Sequence, residues 1–222
     1  MKSHRSSVYR LARLLLLVGW LLQGCNGEPG VVPLSVESSF DSVSSRSIKQ
    51  VQGPFGLSIG LGQFTDSRRE KGFLGMKSGR WGTWDSCIFT VEGGYLDRAT
   101  AKALSEYLKT FGWQIRMVDE GSTTFPKIVV TGEIIEMQVN ASSNLFSTHV
   151  TASVILLVNE EDRITGKRSS ARLTGSGSRN VLWFDPEDAE SLLKDSLTDA
   201  FHQWSLGMDG NEQMVGSGPE AD

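Results

Sequence analysis

The chain has 222 residues, of which 39% are hydrophobic and 22% charged, and its formal net charge at pH 7 is −4. This length allows one domain with a sizeable core and flanking tails. The acidic balance makes the chain a poor candidate for nucleic-acid binding or for electrostatic docking on anionic lipid. Two cysteines exclude a framework of several disulfides and a cysteine-rich metal site.

The first 24 residues have the pattern of a bacterial signal peptide. The apolar run LLLLVGWLL over 14–22 follows four basic side chains, with no acidic residue before Glu28. The run is too short to span a bilayer, which needs about 20 apolar residues. A basic start, a short apolar run and a small residue at the cut are typical of secretory signals. Cleavage would remove four positive charges from −4, leaving about −8.

Leu22-Gln23-Gly24-Cys25 resembles the bacterial lipobox, in which a branched apolar, a variable and a small residue precede the cysteine. The resemblance implies cleavage between Gly24 and Cys25, a diacylglycerol on the Cys25 thiol, and an acyl chain such as palmitate on the new amino terminus. Asn26 is not the Asp that retains such lipoproteins in the inner membrane, so we expect the periplasmic side of the outer membrane. The alternative is an ordinary secreted protein, or a buried N-terminal helix, in which Cys25 is incidental.

Two polar segments are expected to flank one domain. Residues 25–50 are rich in Ser, Pro and Gly and lack a sustained period, which predicts a disordered tether behind the lipidated cysteine. Residues 207–222 are polar and aperiodic and predict a disordered acidic tail. A single α+β domain is expected over 51–206.

In the first half of this domain, alternating apolar residues in GLSIGLGQF predict a strand, and the Gly-rich stretch 66–86 predicts a long loop or an irregular hairpin, with CIFTVE as a short closing strand. A helix is predicted from Asp97, as its N-cap, to the stop at Gly112. WQIRMV after it predicts another strand.

In the second half, KIVVTGEIIEMQVNA predicts a long strand with a bulge or bend near Gly132, where Ile135 and Met137 change to the opposite register. HVTASVILLVN predicts the most apolar strand, and KRSSARLTGSG predicts an edge strand. Asp185 and Pro186 predict the N-cap and first residue of a helix that ends at Gly207. The order favours an α+β two-layer sandwich. We expect a mixed, mostly antiparallel sheet of four to five strands with two amphipathic helices on one face.

The stretch from about 55 to 206 contains FTDSR over 64–68, KGFLG over 71–75, and the helix ATAKALSEYLKTFGWQI. This pattern resembles the YajG-like bacterial lipoproteins. Asp66, Arg68 and Gly75 correspond to recurring positions of that family, for which no catalytic residues are established. The Trp-rich MKSGRWGTW and the acidic C-terminal tail depart from the family, which leaves open whether a partner is shared.

The sequence predicts a partner-binding loop made of Asp66, Arg68, Phe73, Trp81 and Trp84. Asp66 and Arg68 lie two residues apart at a strand end. They form either a polar knot, which fixes the following loop or receives a partner, or an ordinary strand-end salt bridge. The two tryptophans lie in a Gly-rich stretch without helix or strand period. They serve either as binding anchors, including for sugars, or as a lid that folds back on the sheet.

No sequence motif indicates catalysis, a cofactor or a metal. G-x-S-x-G, H-E-x-x-H, the P-loop and the dinucleotide fingerprint are missing from the sequence. The paired carboxylates Glu133 and Glu136 are expected to be solvated, and His149 and His202 to be satisfied surface or edge side chains. Cys87 is expected to be a buried, inert thiol.

These observations give three functional hypotheses. The first is a non-catalytic, lipid-anchored module that binds another envelope protein. The second is an auxiliary subunit of a lipid or lipopolysaccharide transport complex or of a secretion complex. The third is a cell-wall saccharide binder, or a cell-wall-active protein, that uses Trp81 and Trp84. None of them involves nucleic acid.

Overall fold

The computed structural model of the protein describes residues 30–36, 58–79, 82–118 and 126–212. The fold of these residues is α+β, as predicted, with eight strands and two helices. The prediction of four to five strands is wrong, because segments with the composition of a tether and a loop also enter the sheet. The strands are β1 Gly30–Leu34, β2 Ser58–Asp66, β3 Gly75–Gly79, β4 Gly82–Val91, β5 Gln114–Met117, β6 Ile128–Ser143, β7 Thr148–Asp162 and β8 Arg168–Val181. The helices are α1 Leu96–Thr110 and α2 Pro186–Glu212.

The sheet is mixed and curls into a half-barrel, which differs from the two-layer sandwich that the sequence predicted. One edge of β6 pairs with β7 along its whole length, antiparallel, and β8 continues the sheet beyond β7. The other edge is shared, because β2 runs parallel to the first half of β6 and β3 runs parallel to its last residues. β5 lies beside β2, while β4 and then β1 extend the sheet beyond β3.

The predicted bend of β6 exists, but it lies a few residues after Gly132. The register with β7 shifts between Ile134 and Glu136, which places Ile135 in a bulge with 36% of its surface exposed. Ile135 therefore does not share the buried face of Met137, contrary to the sequence prediction. Gly132 has a different role, since a Cβ there would lie 2.1 Å from the ring of Phe64. A bulge of this kind increases local twist and helps the sheet to curl.

Helix α1 begins at Leu96 with Tyr95 as its N-cap, so the prediction of Asp97 as N-cap is wrong. Asp97 lies in the first turn, where a negative charge is favoured by the helix dipole. The predicted stop at Gly112 is confirmed, because its φ of 83° lies in the left-handed region that favours glycine.

Helix α2 begins as predicted. The Glu187 N–H donates to Asp185 Oδ1 over 3.1 Å, and the Asp185 N–H donates to Asp188 Oδ2 over 3.0 Å, so the two carboxylates cap the helix reciprocally. The helix does not end at Gly207 but continues to Glu212, into the segment predicted as a tail. A glycine inside a helix costs about 1 kcal/mol, which does not end the helix by itself.

Both helices contribute to one core with the sheet. The rings of Tyr107 in α1 and Phe201 in α2 lie 5.5 Å apart between centroids. Helix α2 lies directly on β8 at Gly175, where a Cβ would come within 1.8 Å of the Ser196 carbonyl oxygen. The predicted apolar face of β7 is buried, as are the apolar residues of α2 that recur at helical spacing.

The edge position of β8 is confirmed, since among the described strands β8 pairs with β7 alone. Helix α2 leans over this edge. Gln203 Oε1 accepts a hydrogen bond from the Thr174 N–H at 3.3 Å, and Arg179 forms an ion pair with Asp195 at 3.0 Å. These contacts protect an edge that could otherwise pair with another strand.

Strand β1 lies inside the segment predicted as a disordered tether. It runs parallel to β4, and Leu34 and Val36 are buried in the core. The Ser35 N–H donates to Glu190 Oε1 of α2 over 2.8 Å. Gly30, the first residue of β1, is only the fifth residue after the predicted anchor Cys25.

Candidate functional site

The predicted site residues fall into three groups. Asp66, Arg68 and Phe73 lie together at the end of β2 and in the loop after it. Trp84 lies in strand β4 and not in a loop. Trp81, like Gly24 and Cys25, lies outside the described residues.

Arg68 is the centre of a buried polar cluster. Only 7% of its surface is exposed, and its Nε and Nη2 donate to the two carboxylate oxygens of Asp66, each over 2.9 Å. Its Nη1 donates to the carbonyls of Phe73 at 2.9 Å and Met137 at 3.1 Å, and Nη2 also donates to Lys71 O at 3.3 Å. All five N–H groups of the guanidinium are therefore used. We call Arg68, Asp66 and these three carbonyls the Arg68 knot.

The Arg68 knot fills the gap between two strands that share one edge of β6. β2 leaves that edge at Ile134, whose carbonyl accepts from the Ser67 N–H over 3.0 Å. Contact resumes at Val139, whose N–H donates to the Leu74 carbonyl over 2.8 Å. Between them, the Met137 carbonyl receives its hydrogen bond from Arg68. The side chain thus replaces a strand neighbour and satisfies a buried carbonyl.

Glycine is required where β3 joins this gap. A Cβ at Gly75 would lie 1.9 Å from the Val139 carbonyl oxygen, and the φ of Gly75 is 149°. Asp66, Arg68 and Gly75 are the three positions that matched the YajG-like pattern. The structure brings all three to this one junction of the sheet.

The charges of the Arg68 knot balance each other. Burial disfavours the ionised form of Asp66, but the hydrogen bonds from Arg68, its charge and that of Lys71 outweigh burial and lower the pKa of this carboxyl. The backbone N–H of Arg68 also donates to Asp66 Oδ1, over 3.1 Å. Of the two functional roles considered for a polar knot, the geometry matches the one that fixes the loop. Three additional carbonyl contacts make it more than a strand-end salt bridge.

The loop held by Arg68 presents apolar side chains to solvent. Phe73, whose carbonyl Arg68 binds, has 36% of its surface exposed, and Met76 at the start of β3 has 51% exposed. Leu74, between them, is 1% exposed and belongs to the core. Phe73 and Met76 are therefore exposed on a base that the knot and the core fix in place.

A second exposed apolar surface was not found by sequence reasoning. We call it the apolar tip, and it consists of Leu145 (60% exposed), Phe146 (82%), Leu182 (76%) and Trp183 (90%). The first two lie in the turn between β6 and β7, and the other two directly follow β8. Since Thr148 pairs with Val181, both segments leave the sheet at the same end. The sequence signal was available, because NLFS and VLWF place apolar pairs where a turn normally carries polar residues.

The base of the apolar tip is ordered on both sides. The turn between β6 and β7 closes with the Asn144 N–H donating to Ser147 O over 2.7 Å. Phe184, the residue after Trp183, packs against Phe89 with ring centroids 6.0 Å apart. The ammonium of Lys77 lies 5.6 Å from the centre of the Phe184 ring. The exposed side chains therefore project from fixed backbone.

Glu136 and His149, two of the residues considered for catalysis, have hydrogen-bond partners within the protein. Hydrogen bonds from Ser153 and Gln138, with a smaller effect of the Arg172 charge, outweigh burial and lower the pKa of Glu136. His149 Nδ1 lies 2.9 Å from Asn180 Oδ1, in agreement with a satisfied edge histidine. Cys87 is half-buried in β4 beside the core.

Across the described ranges, no group of three or more acidic, histidine or cysteine side chains is arranged to hold a metal ion. None of the helices in those ranges has both the length and the apolar character to cross a bilayer.

No protein-family model matches the chain, and no curated protein is significantly similar to it in sequence. The resemblance to YajG-like lipoproteins is therefore not confirmed. Among solved structures, a Xanthomonas campestris protein of the family DUF330 is similar, with 8% identity and a TM-score of 0.49, over 84% of this chain and 99% of that one. Lipoprotein GNA1162 from Neisseria meningitidis has 14% identity and a TM-score of 0.30, over 72% and 99% of the two chains.

Proposed function

We propose that this protein is a non-catalytic accessory lipoprotein of the bacterial envelope. In this proposal Cys25 carries the lipid anchor, the domain faces the periplasm from the outer membrane, and the loop after β2 binds another envelope protein. The lipobox and the basic, apolar signal before it support the anchor. Three acyl chains bind a membrane far more firmly than the single chain that binds only marginally.

The binding function is inferred mainly from the hydrogen bonds that Arg68 makes. Its five N–H groups all bind atoms of this chain, so the guanidinium fixes the loop and has no donor left for a ligand. What the loop offers to a partner is the exposed apolar pair Phe73 and Met76. A fixed loop loses little conformational entropy on binding, which favours protein recognition.

The position of β1 supports a domain held near its membrane. Gly30 is already paired with Cys87 of β4, and residues 25–30 span at most about 17 Å when fully extended. A partner of the Phe73 loop is then expected in the same membrane or close to it. An auxiliary role in an envelope transport or secretion complex is the more specific form of this proposal.

The saccharide hypothesis depends on Trp81 and Trp84, and Trp84 lies in β4. Its test is binding of the purified protein to peptidoglycan, compared with Trp81→Ala and Trp84→Ala variants. Binding that those variants lose would favour a saccharide function over a protein partner.

The proposal is tested with a photo-crosslinking amino acid placed at Phe73 or Met76 in cells. The matched control is Met117 in β5, which is 61% exposed on a different strand of the sheet. We expect one discrete protein crosslinked from positions 73 and 76 and not from 117. Identical products from all three positions, or none from the loop, would contradict the proposal.

A further inference from the structure

We infer that the apolar tip docks into the lipid surface of the membrane that holds the Cys25 anchor. The inference rests on the proposed lipid anchor and adds a second membrane contact, made by Leu145, Phe146, Leu182 and Trp183. These four side chains are 60–90% exposed at one end of the sheet. Aromatic and aliphatic side chains of this kind, with Trp foremost, are enriched at the membrane–water interface.

The strand directions place the anchor at the same end of the sheet as the apolar tip. β3 runs parallel to β6, and its last residue, Gly79, pairs with the first residue of β4, Gly82. The start of β4 is therefore next to the turn that carries Phe146. Since β1 is parallel to β4, the N-terminal end of β1 also faces this end.

The available chain length agrees with this placement. Gly30 pairs with Cys87 of β4, and Cys87 pairs with Lys77 of β3. Lys77 in turn pairs with Ala141, two residues before the end of β6, which corresponds to about 7 Å. The chain from Cys25 to Gly30 spans at most about 17 Å, which is more than this distance. The opposite end of the sheet is about 40 Å away along β6, from Ala141 to Ile128. The anchor can therefore come level with the tip and cannot reach the far end through these residues.

The environment of the tip favours lipid contact by apolar insertion over contact by charge. The residues that follow Trp183 include Asp185, Glu187 and Asp188, so this part of the surface is acidic. A negatively charged membrane surface would repel these carboxylates, whereas a neutral one would admit the apolar side chains. We therefore expect the tip to enter zwitterionic lipid and to stay there at high salt.

The fixed conformation of the tip residues also favours their insertion into a bilayer. Trp183 is 90% exposed although Phe184, the next residue, packs on Phe89, and the turn with Phe146 is closed by a backbone hydrogen bond. A surface that is fixed and apolar before it meets the bilayer pays little ordering entropy on docking. Anchor and tip together would fix the orientation of the sheet relative to the membrane.

The test uses the mature protein purified from its membrane and reconstituted into phosphatidylcholine vesicles, a fraction of whose acyl chains carry bromine. Bromine quenches tryptophan fluorescence only at short range, and Trp183→Phe keeps an aromatic ring while removing that fluorophore. We expect stronger quenching in the native protein than in Trp183→Phe, which retains other tryptophans such as Trp84 of β4, and we expect this difference to persist at high salt. Phe146→Ser should reduce the docked population about tenfold or more, since one large apolar side chain no longer leaves water.

The control is Ile164→Ser, since Ile164 is 75% exposed in the turn at the opposite end of β7 and should not affect quenching. Mass spectrometry of the same preparation reads acylation of Cys25 separately. Acylated Cys25 with unquenched Trp183 would overturn the lipid contact and leave the proposed anchor intact. Self-association that Phe146→Ser abolishes, with Trp183 unquenched, would overturn it in favour of a second copy. Unmodified Cys25 would contradict both proposals.

Discussion

The Arg68 knot and the apolar tip depart in opposite directions from the usual pattern of charged side chains outside and apolar side chains inside. The knot buries a charged side chain, with Arg68 only 7% exposed, while the tip leaves Trp183 90% exposed. In the knot every donor of the guanidinium has an internal acceptor, so the charge serves the fold. In the tip the side chains contact little of the protein, so their apolar surface adds little to the stability of the fold. Residues that stabilise the domain are therefore buried with their polar groups hydrogen-bonded, whereas residues available for binding are exposed.

The largest loss of stability is expected when the centre of the Arg68 knot is removed. Arg68→Met leaves the Met137 and Phe73 carbonyls without their side-chain donor, and it leaves the Asp66 carboxylate with only the backbone N–H of residue 68. Loss of one partner from a buried ion pair costs about 3–5 kcal/mol, and we expect a decrease of this size in the free energy of unfolding. The measurement is urea denaturation, with the exposed Arg172→Met as control, expected within about 0.5 kcal/mol of the native protein. Equal stability of the two variants would show that the knot is not structural.

The junction next to the knot is tested with a single methyl group. Gly75→Ala places a Cβ 1.9 Å from the Val139 carbonyl oxygen, so the strand must shift. Overpacking of this kind costs about 1–3 kcal/mol in the free energy of unfolding. Gly72→Ala is the matched control, because nothing lies within 4 Å of its added Cβ. A Gly75→Ala protein as stable as the control would contradict the close approach of β3 to β6.

The charge of the knot predicts a dependence of stability on pH. The pKa of Asp66 is lowered in the folded state, so the folded protein holds its proton less tightly than the unfolded chain. Its contribution to stability is therefore complete above the ordinary value of 3.8 and is lost as the pH falls through the lower folded value. Asp66→Asn should show a shallower decrease in unfolding free energy below pH 4 than the native protein. The same slope in both proteins would exclude Asp66 as a source of acid sensitivity.

The smallest effect on stability is expected at the tip. Trp183→Ser removes a side chain with few contacts, and the free energy of unfolding should change by less than about 0.5 kcal/mol. Phe184→Ser, one residue further, removes the packing on Phe89 and should cost about 1–3 kcal/mol. Thermal unfolding of the two variants measures this difference between two adjacent residues. A large loss from Trp183→Ser would mean that the tip belongs to the core.

The elements that the sequence predicted correctly depend on interactions between residues that are close together in the chain. The start of α2 follows from Asp185 and Pro186, whose capping interactions lie within a few residues of each other. The buried face of β7 follows from strict alternation along one strand. The N-cap of α1 is the exception, because Asp97 has the right chemistry but lies one residue inside the helix.

The elements that the sequence did not predict depend on pairing between residues that are far apart in the chain. β1 is five residues long, contains Pro33 and depends on β4 more than fifty residues later, so its own sequence resembles a tether. The bend of β6 lies at Ile135 because β6 changes its partner from β2 to β3, which is a property of the assembled sheet. Asp66 and Arg68 were found from their spacing, but the Met137 carbonyl, 69 residues away from Arg68, explains why they are buried.

Metabolic labelling with palmitate is the most direct test of the proposed attachment of this domain to a membrane through Cys25. Cells that produce the native chain or the Cys25→Ser variant are labelled, and the protein is isolated from each. We expect label in the native protein and none in Cys25→Ser, which should be released from the membrane or remain unprocessed. Label that persists in Cys25→Ser, or a native protein without label, would contradict it.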